Sequence, residues 1–152
     1  MEIIYNTLKE GYDFNISDKW GKEFHFKVLT MQMHFGILSE ACEVVTEKGR
    51  EPYKCSIVND FDSDIEYCEL LLKAKIKKMI NVRCLNEGED GLRINESDML
   101  RGRFEWNDDF SDTKFEYYLV IDGRRITFEK LERLIQPYEG WQIEIKLTEP
   151  ND

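Results

Sequence analysis

The chain has 152 residues, of which 41% are hydrophobic and 12% aromatic, and its formal net charge is −10 at pH 7. This length and composition predict one globular domain over residues 1–152 and exclude an intrinsically disordered chain. The acidic excess lies mainly in residues 85–152, which hold 17 acidic and nine basic residues. Such a surface repels phosphate backbones, so nucleic-acid binding is not expected.

The four cysteines stand far apart in the sequence and form no C-x-x-C pair. Scattered cysteines at apolar-periodic positions predict buried thiols in a reducing compartment, while structural zinc sites usually use closely spaced pairs. The first 14 residues have neither the basic region nor the apolar run of a signal peptide. We therefore expect a cytoplasmic protein that neither crosses nor binds a membrane.

The first half of the chain predicts a β-hairpin followed by a third strand. Residues 1–21 are weakly patterned; residues 1–5 permit a short edge strand, and residues 11–21 read as a loop. Residues 23–33 alternate apolar and polar side chains, as a half-buried strand does. The strands that follow are predicted at 37–47 and 53–60.

The clearest helix is predicted over residues 62–84. Apolar side chains recur there every three or four residues, which marks one buried face. Acidic residues are concentrated in its first turn and basic residues near its end, as the helix dipole favours.

The second half predicts more strands and one short helix. Asp122-Gly123 is a strong two-residue turn signal between strands, and Thr127 is placed to cap a helix over residues 127–136. The strands of this half are predicted at 99–108, 116–121, 124–126 and 142–147. The order of elements predicts an α+β fold, an antiparallel sheet of about five to six strands with both helices on one face.

Two short patterns contain metal-ligating residue types. Asp60, Asp62 and Asp64 alternate like the start of a calcium loop, but the glycine and glutamate that such a loop needs are absent. The interpretation that we prefer for these acids is a helix cap.

A second pattern places soft ligands close together, and its members are Met31, Met33 and His34. A methionine pair on a strand more often belongs to a core than to a copper site. The sequence also has no phosphate-binding loop and no serine-nucleophile motif. We therefore expect no metal and no cofactor.

The C-terminal third has the most unusual composition and supplies the candidate binding residues, which are Arg101, Arg103, Glu105, Arg124, Glu139 and Trp141. One interpretation is a polar groove with an aromatic wall. The other is a solvated sheet face with cross-strand ion pairs and tryptophans in the core. On the second interpretation Trp141 closes the core over the short helix, and Glu139 pairs with Arg103 or Arg124.

This third also carries a resemblance to a known family. The residues that carry it are Gly102, Arg103 and Trp106 in one strand, Leu119 to Gly123 in a hairpin, Glu129 or Glu132 in the helix, and Glu139 to Gln142 at the last strand. This pattern resembles a bacterial domain family of unknown function over residues 23–147. The resemblance implies a compact α+β domain and no particular activity.

Three functions remain open at this point. The leading interpretation is a small non-enzymatic module that binds a protein or a small ligand. The second is an acidic neutraliser of a basic partner, in the manner of an immunity protein or antitoxin. The third is a small enzyme that uses carboxylates and arginines around Arg103, Glu105 and Glu139. The ligand and the oligomeric state are left open.

Overall fold

We describe a computed structural model of the chain over residues 11–107 and 116–151. The predicted strand at 1–5 and the connection at 109–115 lie outside these residues. The fold class is α+β, as predicted, but the described part has nine strands in three antiparallel sheets where one sheet of about five to six strands was expected, and two α-helices. The chain divides into two compact units. Among the described residues, unit 1 comprises 11–46, 52–81 and 146–151, and unit 2 comprises 47–51, 82–107 and 116–145.

Unit 1 is a four-stranded sheet covered on one face by a helix. The strands run in sheet order and each pairs antiparallel with the next; they are β1 (Tyr12–Ser17), β2 (Glu23–Met33), β3 (Gly36–Glu43) and β4 (Lys54–Asn59). The helix α1 spans Ile65–Ile80. Its buried residues recur at helical spacing and pack on the even-numbered side chains of β2, such as Phe26.

The N-terminal half of unit 1 confirms one prediction and corrects another. The hairpin partner of β2 is confirmed at Gly36–Glu43. The predicted loop at 11–21 is wrong for Tyr12–Ser17, which form β1. Tyr12, Phe14 and Ile16 alternate and pack against the core, a short period-2 signal that the surrounding polar residues obscure.

One of the acids before α1 caps it. The Asp64 carboxylate accepts the backbone N–H of Glu66 at 3.1 Å, which satisfies one of the free donors at the helix start. The preferred interpretation of this aspartate as a cap is therefore confirmed. Among the soft-ligand residues, Met31 and Met33 lie on β2 and His34 in the turn that follows it, with its ring 5.0 Å from the ring of Phe35.

Unit 2 contains a small hairpin, a three-stranded sheet and the second helix. The hairpin pairs β5 (Leu85–Gly88) with β6 (Gly91–Ile94), and the sheet has the order β7 (Arg103–Trp106), β8 (Tyr117–Ile121) and β9 (Arg124–Thr127). The helix α2 spans Phe128–Ile135 and is capped by the Thr127 hydroxyl, as predicted. A one-turn 3₁₀-helix, Gln136–Tyr138, follows it.

The Asp122-Gly123 turn joins β8 to β9, and its aspartate also bonds to the backbone at the start of β5. Both residues have positive φ, 54° and 75°, as the predicted tight hairpin turn requires. The Asp122 carboxylate accepts the backbone N–H groups of Cys84 and Leu85, each at 2.9 Å. The core of this unit lies beside the turn and includes Ile121, Ile126 and Leu134.

The last predicted strand, at 142–147, is wrong. Residues 142–149 have no regular secondary structure, and no backbone hydrogen bond joins them to a strand of the described chain. Alternation fixes which side chains share a face, but a strand also needs a hydrogen-bonding neighbour, and the sequence pattern does not supply one.

Candidate functional site

Four aromatic side chains cluster on one face of the three-stranded sheet of unit 2. The register of β7 with β8 sets Phe104 opposite Leu119 and Trp106 opposite Tyr117, so these side chains share a face. Phe128 joins the same cluster from the first position of α2. We call this cluster the aromatic surface, and its members are Phe104, Trp106, Tyr117 and Phe128.

The rings of the aromatic surface contact one another and remain in water. The Tyr117 ring stacks on Phe104 with centroids 4.8 Å apart and meets Trp106 edge-on at 4.7 Å. The Phe128 ring stands edge-on to Phe104 at 6.3 Å. All four residues are between 44% and 59% exposed. Single exposed aromatics are common, but a contiguous exposed group is typical of an interaction site.

The edge of β7 beside the aromatic surface has unused backbone groups. The Asn107 N–H donates to the Glu116 carbonyl at 3.1 Å. This bond identifies which residues of β7 form hydrogen bonds with β8. Hydrogen-bonding residues alternate along a strand, so Arg103 and Glu105 bond to β8 while the amides of Phe104 and Trp106 point outward. No other described strand pairs with β7, so this edge can accept an added strand.

Gly102 explains how β7 begins so close to its neighbour. A Cβ atom at this position would stand 2.4 Å from the Val120 carbonyl oxygen and 2.7 Å from the side chain of Ile121. Both distances are shorter than atoms can approach without displacement, and the closer one involves backbone. The glycine of the G-R-x-x-W pattern therefore permits the close approach of the two strands.

The opposite face of the same sheet is charged. Arg103 pairs there with Glu105, two residues along β7. Arg125 donates to the Glu51 carboxylate at 2.9 and 3.1 Å and lies 4.2 Å from the centre of the Tyr118 ring. We call this the charged face. Each of these two arginines has a carboxylate partner on this face.

Tyr118 is the buried centre of the charged face. Burial raises the pKa of its hydroxyl, and the nearby Glu51 carboxylate raises it further. The phenol therefore stays protonated at neutral pH and serves as a flat surface for the Arg125 guanidinium.

The predicted binding residues separate in the structure. Arg103 and Glu105 lie together on the charged face, and Arg101 lies exposed just before β7. Arg124 pairs instead with Glu87 at 3.3 Å. Among the described contacts none joins Glu139 to Arg103 or Arg124, so the predicted pairing is corrected. These arginines have carboxylates nearer to them in the fold, which the sequence alone does not show.

Trp141 does not close the core, so that prediction is wrong. The residue is 64% exposed, and its ring stands edge-on to Tyr138 with centroids 4.9 Å apart. The Tyr138 hydroxyl donates to Asp98 at 2.8 Å, and this bond raises the pKa of the tyrosine. The turn with Gly140 at φ 89° does form, but it directs the indole into water.

One interpretation of the sequence includes an aromatic wall in this region, but the sequence does not place Tyr117 and Phe128 in it. Phe104 and Trp106 alternate with Arg103 and Glu105, and this pattern indicates two different faces without saying which one is covered. The signal that was available is the number of large aromatic residues around a strand of only four residues.

Two family models match the chain, and both are described as domains of unknown function. The first, DUF7686, matches residues 9–81, and the second, DUF7713, matches residues 84–152. The expectation of an uncharacterised family is met at this level, with two models of unknown function in place of one family over residues 23–147. No curated protein and no solved structure matches the chain. Within the described chain, no helix has both the length and the apolar character to cross a bilayer.

Proposed function

We propose that the protein is a non-enzymatic binding module that takes up an extended segment of a protein partner along β7. The observation that carries this proposal is the coincidence of two features on one short strand. Its outward amides offer a ladder edge, and its Phe104 and Trp106 side chains offer exposed aromatic contacts.

Strand addition uses both features at once. Main-chain hydrogen bonds to the edge supply affinity, and every second side chain of the partner meets the aromatic surface and supplies specificity. Aromatic residues are frequent at the energetic centres of protein interfaces because they bury a large area with few rotatable bonds. The expected ligand has apolar residues at alternate positions.

The charge around the aromatic surface favours a basic partner. The connection from Trp106 to Tyr117 contains four acidic residues and one lysine. Because Trp106 and Tyr117, which flank this stretch, belong to the aromatic surface, its acidic sequence favours a ligand with lysine or arginine beside its apolar residues. A basic protein partner of the kind that an acidic neutraliser binds is one such ligand.

The cysteines support a cytoplasmic location for this module. All four are free thiols, and Cys68 and Cys84 are buried. Proteins of oxidising compartments more often pair such residues in disulfides.

The proposal is tested by selecting a displayed library of random 12-residue peptides on the full chain. We expect enrichment of peptides with apolar residues at every second position and basic residues near them. Binding of a selected peptide should fall by at least roughly tenfold in Phe104→Ser, in line with hot-spot truncations.

Phe61→Ser provides the matched control, because Phe61 is about as exposed as Phe104 but lies in unit 1. The odd-numbered and the even-numbered amides of the peptide are N-methylated in two separate peptides. Only one of these peptides should lose binding, since the amides of only one set point towards β7. Equal losses in both serine variants, or binding that tolerates methylation everywhere, would contradict the proposal.

A further inference from the structure

The segment 141–147, W-Q-I-E-I-K-L, has the alternating apolar residues that the proposed function expects of its ligand, with one glutamate and one lysine between them. Its apolar residues occupy alternate positions and are Trp141, Ile143, Ile145 and Leu147. These four are between 64% and 88% exposed, and the last three are the most exposed large apolar residues of the described chain. Branched residues in strict alternation have high strand propensity. The segment is therefore a strand sequence without a sheet.

Both ends of this segment are held by contacts elsewhere. At its start, the Trp141 N–H donates to the Tyr138 carbonyl at 2.8 Å. Beyond its end, the Pro150 carbonyl accepts from the Lys75 ammonium at 3.2 Å. The residues between these contacts have no ladder partner in the described chain.

We propose that the segment 141–147 of a second copy of this chain adds to the free edge of β7. This inference rests on the proposed function and names its partner. Each copy contributes the outer edge of β7 and the unpaired segment 141–147, so two copies can exchange segments reciprocally. Such an exchange closes as a two-fold dimer that covers both β7 edges and pairs both segments.

Charge complementarity fixes one alignment. The side chains of Ile143, Ile145 and Leu147 must lie on the aromatic side, which leaves the even-numbered residues on the charged face. If the segment runs parallel to β7 with Ile145 beside Phe104, then Leu147 lies beside Trp106. The charged neighbours in this alignment are Glu144 beside Arg103 and Lys146 beside Glu105.

Other alignments match the charges less well. If the segment runs antiparallel with Glu144 beside Arg103, Gln142 lies beside Glu105 and the second charge of β7 has no partner. If that antiparallel segment is moved two residues along β7, Glu144 lies beside Glu105, a contact of like charges. Only the parallel alignment pairs both charges of β7 with opposite charges. Adding one parallel strand to an antiparallel sheet gives a mixed sheet, which is a common arrangement.

The test is a charge exchange read by sedimentation velocity on full-length protein. Wild type is expected to be a dimer. Glu105→Lys and Lys146→Glu should each weaken dimerisation by roughly tenfold, because each creates two like-charge contacts per dimer. An equimolar mixture of the two variants should dimerise like wild type, since every contact in the mixed dimer again joins opposite charges. Recovery in the mixture requires that the contact be made between copies.

Ile145→Lys should also abolish the dimer, and Leu70→Lys is its control, because Leu70 is an exposed apolar residue on α1. A wild-type monomer, a dimer that survives Ile145→Lys, or a mixture that stays monomeric would overturn the inference. A labelled synthetic peptide of residues 138–149 separates the two proposals. If the wild type is a monomer but binds this peptide and loses it in Phe104→Ser, the second copy is wrong and the binding edge stands. If neither the peptide nor the displayed library binds, the edge itself is wrong.

Discussion

Trp106 and Tyr117 face each other across the β7–β8 pair with ring centroids 4.7 Å apart, yet both rings remain nearly half in water. A cross-strand aromatic pair is worth about 0.2–1 kcal/mol to a sheet. That contribution does not require four exposed rings around one short strand. The aromatic surface is therefore better explained by a ligand than by the stability of the unit.

The first prediction compares truncations of an exposed and a buried residue. Trp106→Ala should lower the free energy of unfolding by only about 1 kcal/mol, because the indole is half exposed. Ile126→Ala, at a position 1% exposed, should cost about 2–5 kcal/mol. Urea denaturation measures both. Equal costs would show that Trp106 is a core residue.

The second prediction concerns the Asp122-Gly123 turn of unit 2. Asp122→Ala removes the acceptor of the Cys84 and Leu85 N–H groups and replaces a residue at φ 54°. The free energy of unfolding should fall by about 2 kcal/mol, since hydrogen bonds to a charged acceptor are lost. Asp122→Asn keeps an acceptor and tolerates the backbone conformation, so it should lose less. If asparagine and alanine behave alike, the carboxylate bonds contribute little.

Sequence and structure agree best where local signals suffice. The caps of both helices and the Asp122-Gly123 turn depend on neighbours within a few residues, and all were predicted. The helix predicted over 62–84 is shorter, Ile65–Ile80, because helical periodicity continues into flanking residues that the helix does not include. The fold class followed from the order of these elements.

The candidate site depends on partners that are distant in sequence, and there prediction was limited. The arginines of unit 2 were recognised, but Arg125 pairs with Glu51, 74 residues away. Alternation does not reveal which side chains of β7 are covered, so the sequence leaves open whether its tryptophan lies in the core or in an aromatic wall. Alternation in the segment 141–147 predicts a strand for the same local reason, but it does not show which strand would pair with it.

A third prediction concerns pH. Burial, followed by the hydrogen bond to Glu69, raises the pKa of Tyr12 to about 12. The unfolded chain ionises this phenol near pH 10, so its stabilising contribution is complete below pH 10 and is lost as the pH rises through about 12. Tyr12→Phe should therefore show a smaller drop in melting temperature between pH 9 and pH 11 than wild type. Identical drops would contradict the shift.

The fourth prediction concerns the thiols. Burial raises the pKa of Cys55 to about 11 and also raises the pKa values of Cys68 and Cys84. Cys42 is exposed. In native protein at pH 7.5, DTNB should modify one thiol quickly and the others slowly, because the thiolate is the reactive form. Cys42→Ser should remove the fast phase; a fast phase that survives this change would refute the assignment.

The most direct test of the binding edge is amide hydrogen exchange at β7, residue by residue, by NMR. The Glu105 amide bonds to β8 and should be protected with or without ligand, so it serves as an internal reference. The amides of Phe104 and Trp106 point outward and should exchange quickly in free monomer, then become protected when a selected peptide binds or the dimer forms. Binding that leaves both of these amides as fast as before would contradict strand addition at β7.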